Sequence, residues 1–387
     1  MANSLDREMM LHPIQDERSR QAFIVQFKKK VNFELQGDIH DYFSKEIAPT
    51  LESDLGQPLD DLNRDHRVAV KKELYKEHIF QSWEALTWIG QDMMWNCIDE
   101  TLDHDLPRLE ALAVDVAVGV NKNKKGSLKL NPHLDLPSNI ARVEIHRQPG
   151  GFCLERDGVD YDILSGARYT GGGMMYGAGK GRGHKAGLGH SAASFLIQAL
   201  EEKFGPQKPK HILDIGCGTG LNTLTYPAYY PEAEVHGIDV AAGLLRWGHA
   251  RAENEGVGIH FSQMSTAAMD FEDESFDMVV STIWGHETTP QILRDSIAEI
   301  WRVLKPGGIA YHLDVTTQPG YQDLVDQVLN DWQIKNNGEP FWMGFADSDL
   351  KLIMTEKGYP KDCQFVGYQP RPMGAGDWFV HGVQKPT

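Results

Sequence analysis

The pattern of apolar and polar positions divides the chain into three textures. From about residue 15 to 118, apolar side chains recur at helical spacing, as in Ala22-Phe-Ile-Val-Gln-Phe and in the stretch from Val68 to Leu102. Trp83, Trp88 and Trp95 belong to that pattern and read as a core stripe. Asn121-Lys-Asn-Lys-Lys-Gly-Ser is a polar, basic break that predicts an exposed loop. The texture then changes. Arg142-Val-Glu-Ile-His-Arg alternates, Gln148-Pro-Gly-Gly151 is turn chemistry, and Phe152-Cys-Leu-Glu alternates again, which predicts a β-hairpin. Ser165 to His190 is so rich in glycine that neither helix nor strand is expected there. From Ser191 onward a helix (191–204) precedes strands near Ile212, Val235, Ile259, Met278 and Ala310, with helical stretches between them. Two more strands, Gln364-Phe-Val-Gly-Tyr and Trp378-Phe-Val-His-Gly-Val, close the chain as a hairpin. Alternating strands and helices imply a parallel α/β sheet covered on both faces. Three units follow: a helical part over 1–120, a hairpin and glycine-rich connector or lid over 121–190, and the sheet domain over 191–387.

The chemistry concentrates where the first strand of that sheet domain ends. His211-Ile-Leu-Asp-Ile-Gly-Cys-Gly-Thr-Gly220 leads an apolar run into three glycines at alternate positions, Gly216, Gly218 and Gly220. Glycines at such a turn let the backbone bend sharply and let a ligand approach it. Val235-His-Gly-Ile-Asp239 is a second short strand, and it ends in a carboxylate at the distance expected of a ribose-binding acid. The spacing differs from the Gly-x-Gly-x-x-Gly of dinucleotide enzymes, which counts against a nicotinamide-dependent oxidoreductase.

Asp-x-Gly-x-Gly-x-Gly resembles motif I of the class I S-adenosylmethionine (SAM)-dependent methyltransferases. The later segments resemble the same family in the right order: Asp239, Phe271-Glu-Asp-Glu-Ser-Phe-Asp-Met-Val-Val-Ser281, and Ile300-Trp-Arg-Val-Leu-Lys-Pro-Gly-Gly308. The likeness spans residues 190–385 and implies a Rossmann-like doubly wound sheet with a closing antiparallel hairpin, beside an N-terminal mostly helical domain. It also implies SAM as cofactor, with the three glycines beside its methionine part and Asp239 on its ribose. Asp214 would meet the α-amino group or orient the turn. Where the family often has an acid for the adenine amine this chain has Ser265, with Met264 placed to pack on the adenine face. Trp284 would flank the sulfonium or the acceptor.

Ser281-Thr-Ile-Trp-Gly-His-Glu-Thr-Thr289 falls at the carboxyl edge of the sheet, where open α/β sheets bind their ligands. His286 and Glu287 are therefore candidates for a general base, since a histidine near pKa 6.5 suits removal of an acceptor proton. The alternative for His286 is a helix cap. His312 and Asp314 face the same crevice and come next.

Charge changes the picture in one place. The 387 residues carry 38 Lys+Arg against 55 Asp+Glu, a formal net charge of -17, which argues against a nucleic-acid enzyme. Yet from Ile163 to Leu200 there is no acidic residue, while Arg168, Lys180, Arg182 and Lys185 are cationic and Tyr169 and Tyr176 sit among the glycines. A lid that carries Arg168, Tyr169, Tyr176, Lys180 and Arg182 over the acceptor, with His312 at the strand end beside it, predicts an acceptor with a carboxylate or another anionic group; a flexible linker is the plainer alternative. The four cysteines form no Cys-x-x-Cys pair, so neither a disulfide framework nor a metal site is expected. No signal-peptide core or membrane span is visible, and a cytoplasmic protein without membrane partners, with a homodimer as one arrangement, is expected. The expected function is methyl transfer from SAM to a small molecule. Transfer to a protein side chain, or SAM binding without turnover, are the rivals.

Overall fold

The central strands His211–Ile215 and Phe276–Thr282 are mostly apolar on both sides because both sides are covered. The computed structural model describes residues 9–117, 124–136, 138–179, 191–370 and 376–387. Its strands are β1 (Ser127–Lys129), β2 (His211–Ile215), β3 (Glu234–Asp239), β4 (His260–Gln263), β5 (Phe276–Thr282), β6 (Leu304–Asp314), β7 (Gln364–Pro370) and β8 (Asp377–Gln384). They form one sheet in the order β1-β4-β3-β2-β5-β6-β8-β7. Strands β1 to β6 pair in parallel, while β8 runs antiparallel to β6 and β7. Along β2, Ile212 enters one core and Leu213 and Ile215 enter the other, as strand alternation requires. The chain winds outward from β2 through β3 to β4, then returns to β5 on the other side of β2. That reversal opens a crevice at the carboxyl edge between β2 and β5.

The expected doubly wound sheet and closing hairpin are present, with one addition. Ser127, read as the end of a loop, begins β1 and lengthens the sheet beyond β4. The hairpin expected over 142–155 does not form. Gln148 to Gly151 does turn, with the Gly151 amide donating to the Gln148 carbonyl at 2.8 Å, but the flanking residues pair with no strand. His146 and Arg147 adopt left-handed backbone (φ 56° and 57°), which ends any extended run.

The glycine-rich run is the larger departure, since Leu164–Gly179 is a helix. Its glycines make room for aromatic neighbours. A Cβ on Gly172 would lie 2.4 Å from the Trp95 ring, and one on Gly166 would lie 2.3 Å from Trp247 Cβ. Close approach of bulky partners, which also holds the helix in place, outweighs the weak helical preference of glycine.

The N-terminal helices do not bury their apolar stripes among themselves alone. Met94, Trp95, Ile98 and Leu102 of the long helix 78–117 share a core with Ala167, Trp247 and Ala250. Val70, Leu74, Phe80 and Trp83 share another with Leu324, Val325, Val328 and Leu329. The helical region is thus stapled onto the helices Ala242–Asn254 and Leu324–Asn336 that follow β3 and β6. Trp88 departs from the expected core stripe: it is 39% exposed, and the Arg147 guanidinium stands 3.6 Å above its ring. Among the described residues no helix is long and apolar enough to cross a membrane.

Two glycines of one helix should respond in opposite directions. Gly166→Ala is expected to destabilise by about 1–3 kcal/mol through overpacking against Trp247. Gly173→Ala, exposed and with nothing within 4 Å of its Cβ position, is expected to stabilise by up to about 1 kcal/mol. Chemical denaturation measures both; shifts of the same sign would contradict the packing described.

Candidate active site

The chain leaves β2 through Gly216, Gly218 and Gly220, all at positive φ (62°, 54° and 68°). Their surroundings differ. A Cβ on Gly216 would lie 2.1 Å from the Trp284 ring and one on Gly220 2.8 Å from the Phe261 ring, but one on Gly218 would meet nothing within 4 Å. Packing demands the outer two glycines, while Gly218 borders open space where a ligand can reach the backbone. Asp239, at the end of β3, accepts the Gly218 amide at Oδ2 and the Ala241 amide at Oδ1, each at 2.9 Å. Burial raises its pKa against the pull of those amides. Asp214 accepts the Thr223 hydroxyl at Oδ2 (2.7 Å), while its buried Oδ1 has no hydrogen-bond partner. Burial, opposed by Thr223 and reinforced by the Asp239 charge, pushes Asp214 up to about 7. A buried oxygen without a donor, beside open space and a second carboxylate, suits a cationic ligand group.

Met264 is buried and donates its amide to the Asp239 carbonyl at 3.1 Å, and Ser265 Oγ accepts the Ala267 amide at 3.2 Å. Both therefore stand at the edge of the Asp239 turn. Trp284 is buried with its ring against Gly216.

Beyond Trp284 lies a second cluster. Ile283 has φ 60°, a rare conformation for a β-branched residue, and the turn it makes lifts Trp284-Gly285-His286-Glu287 away from β5. The His286 Nδ1–H donates to Asp314 Oδ1 at 2.6 Å, and the other Asp314 oxygen accepts the Gly285 amide at 2.7 Å. The His286 Nε2 then faces two carboxylates, 3.7 Å from Glu287 Oε1 and 3.7 Å from Glu339 Oε2. His146 completes the ring, with Nε2 at 3.3 Å from Glu287 Oε1 and Nδ1 at 3.0 Å from Glu339 Oε1. Burial disfavours the imidazolium of His286, but Asp314, Glu287 and Glu339 outweigh it and hold the pKa at about 9. The same contest at His146, with Glu339 and Glu287 as its partners, ends at about 10. Burial works against ionised Glu287 as well, and the two histidines nonetheless keep its pKa low.

The His146 loop is brought to the sheet by the helical region. Trp95 Nε1 donates to the His146 carbonyl at 2.7 Å, and Arg147 is fixed between the Trp88 ring and Asp92. Glu339 is presented from the other side: Gly338 (φ 67°) passes so close to the Glu144 carbonyl that a Cβ there would lie 2.5 Å from it. Asn337 donates to Glu339 Oε1, and Gln91 donates to Asn337, so a buried polar chain runs back to the long helix. Tyr169 lies between the two clusters. Burial first, then the charges of Glu287, Asp239 and Glu339, raises its pKa, and its ring packs edge-on to Phe152 at 5.3 Å.

Of the residues expected to act, the structure gathers Asp214, Gly216, Gly218, Gly220, Asp239, Met264, Ser265 and Trp284 around one turn, and His286, Glu287 and Asp314 around the next. Helix capping, the other role considered for His286, falls to Thr289, whose side chain accepts the Ile292 amide at 3.1 Å. Arg168 is not a free lid cation. It pairs with Asp99 at 2.7 Å and donates to the Pro149 carbonyl at 3.0 Å, bracing the turn that follows His146. His312 is an interior residue rather than a lining one: Nδ1 meets Ser281 Oγ at 2.8 Å and the ring stacks on His381 at 5.0 Å. The side chains of Tyr176, Lys180 and Arg182 lie outside the described residues. His146, Glu339, Phe152 and Cys153 were not foreseen. Cys153, raised to about 12 by burial and by the charges of Asp239 and Glu155, flanks the Asp239 turn. None of the four carries a local motif; His146 and Glu339 are brought to His286 by tertiary packing.

The methyltransferase domain family matches residues 212–308. A demethylmenaquinone methyltransferase of Lactococcus lactis is 39% identical over 185 residues, covering 45% of this chain and 73% of the relative. One from Thermus thermophilus is 33% identical over 111 residues, covering 29% of this chain and 50% of the relative. The chain spans about half the length of several curated relatives that it matches. Among solved structures, phosphoethanolamine N-methyltransferase 2 of Haemonchus contortus superposes over 51% of this chain and 53% of that one, at 16% identity and a TM-score of 0.40. On the Lactococcus alignment, the glycine turn and Asp239, this chain belongs to the class I SAM-dependent methyltransferase family.

Proposed function

We propose that the chain transfers a methyl group from SAM to a small-molecule acceptor held between the glycine turn and the His286 cluster. The observation that carries this reading is the adjacency of two unlike sites at one crevice. One has open backbone at Gly218 with Asp214 and Asp239 beside it; the other has a histidine held by a carboxylate and facing two more. When bound, SAM supplies an electrophilic methyl carbon on a sulfonium. Gly218 gives its polar part access to the backbone, Asp239 offers acceptor lone pairs to the ribose, and Asp214 Oδ1 suits the amino group. Buried Trp284 and half-buried Tyr169 keep water from the space between the sites. The acceptor's proton leaves toward His286 in its neutral form, which a pKa of about 9 makes the minor form at neutral pH and the major form above it, so turnover rises with pH; the Nδ1–Asp314 bond fixes the ring with Nε2 turned to the crevice. Positioning supplies much of the remaining rate.

The small-molecule reading is supported by the curated relatives, which include methyltransferases named for demethylmenaquinone. An anionic group on the acceptor was expected from the basic run. Arg168 no longer supports it, and that part of the reading now rests on Lys180 and Arg182.

Two outcomes test the assignment. Asp239→Asn is expected to weaken S-adenosylhomocysteine binding by about 10–100-fold, the loss of charge-assisted hydrogen bonds worth about 1.5–3 kcal/mol. Unchanged affinity by calorimetry in a folded variant would remove Asp239 from the cofactor site. His286→Ala is expected to lower kcat by about 10²–10⁴ with S-adenosylhomocysteine affinity unaltered. The assay is release of S-adenosylhomocysteine with a panel of small hydroxyl, amine and carboxylate acceptors; wild-type turnover in the variant would contradict the role of His286.

A further inference from the structure

We propose that His286, Glu287 and Glu339 form a binding site for one divalent transition-metal ion at the acceptor side of the crevice. The inference deepens the functional reading above, and its test is independent of methyl transfer. One ligand atom from each of the three residues lies within 4.8 Å of the others, and His286 and Glu339 are each 1% exposed. A buried group of this kind differs from a solvated acidic patch, because each charge taken from water needs a partner.

The hydrogen-bond inventory shows where the partner is missing. His146 takes the Oε1 atoms of Glu287 and Glu339. The Oε2 atom of each is buried and accepts no hydrogen bond. The His286 Nδ1 is committed to Asp314, which fixes the ring and turns Nε2 toward the glutamates, where an ion would displace its proton. A carboxylate on one imidazole nitrogen with the other turned to a cation is the usual outer support of a metal-bound histidine. Asn337 plays the equivalent part for Glu339 by donating to Oε1. Two ligands about 2.1 Å from one ion stand about 3.0–3.4 Å apart. Glu339 Oε2 stands 3.7 Å from His286 Nε2, and Glu287 presents the Oε1 it shares with His146 at the same distance, so only a few tenths of an ångström of contraction is needed.

The donor set selects the class of ion. Calcium and magnesium take oxygen ligands, whereas imidazole with carboxylates suits manganese, iron, cobalt or zinc. Three protein ligands leave positions open for an acceptor oxygen or nitrogen. In the ion-bound protein His286 is a ligand, and coordination rather than the imidazole acidifies the acceptor. The ion would also give an anionic acceptor a positive partner in a crevice otherwise rich in carboxylates.

The test is a titration of chelator-stripped, full-length protein with Mn²⁺, followed by electron paramagnetic resonance of the free ion, with Zn²⁺ and Mg²⁺ compared by calorimetry. The expected result is one Mn²⁺ per chain, with Mg²⁺ at least about tenfold weaker. Asp314→Asn should weaken Mn²⁺ by about 10–100-fold, and Glu339→Gln and Glu287→Gln by at least as much. His40→Ala, which removes the separate, partly exposed group His40, Asp323 and Asp326, should leave the stoichiometric site intact. The two glutamine variants are made in parallel so that misfolding of one, seen by circular dichroism, leaves the other. The proposal is overturned by no stoichiometric binding, by full binding in a folded glutamine variant, or by loss of the site in His40→Ala. S-adenosylhomocysteine affinity is read on the same samples: ion binding without it would refute the methyltransferase reading alone, and the reverse would refute the ion site alone.

Discussion

A parallel sheet covered on both faces leaves its strand ends as the place where ionisable groups can face one another, and this protein collects its buried charge there. Asp214, Asp239, Glu287, Asp314 and Glu339 converge on the carboxyl edge beside β2, β3, β5 and β6, with His146 and His286 among them. Compensation of those charges is the constraint from which the other features follow. It explains the turn at Ile283, the left-handed backbone at His146 and the buried chain through Asn337 and Gln91. Strained residues of this kind cost about 1–3 kcal/mol each and persist only where the surroundings over-determine them.

The helical region supplies that over-determination. Its two cores are shared with the helices after β3 and β6, so it cannot shift without disturbing the sheet. Trp88, Asp92 and Trp95, within eight residues of one helix, grip the His146 loop by a cation–π contact, an ion pair and a hydrogen bond. The glycines of Leu164–Gly179 serve the same end, since they let Trp95 and Trp247 approach a helix that carries Tyr169 to the crevice. A region that reads as an accessory domain thus forms one wall of the site.

The legible part of the molecule is the part written in consecutive residues. The strand–glycine–helix grammar around Gly216 to Asp239 is local, because the backbone conformation it needs is imposed by the residues themselves. The order of β2 to β8 follows from alternation and the closing hairpin. His286 and Glu287 were within reach because a motif places them at a strand end. His146 and Glu339 were not, because their role comes from packing between segments roughly 190 residues apart. The glycine run misled for a related reason: intrinsic preference argued against a helix, and two tryptophans elsewhere in the chain overrode it. The basic run misled at Arg168, where a count of charges could not reveal Asp99 on a neighbouring helix.

The central claim is that the crevice at Gly218 and Asp239 binds SAM and its product rather than a dinucleotide. The most direct test is calorimetric titration of the full-length protein with S-adenosylhomocysteine beside NADH. Binding of one S-adenosylhomocysteine per chain at micromolar or tighter affinity, with no heat from NADH, is the predicted result. Tight NADH binding without S-adenosylhomocysteine binding would contradict the account at its root.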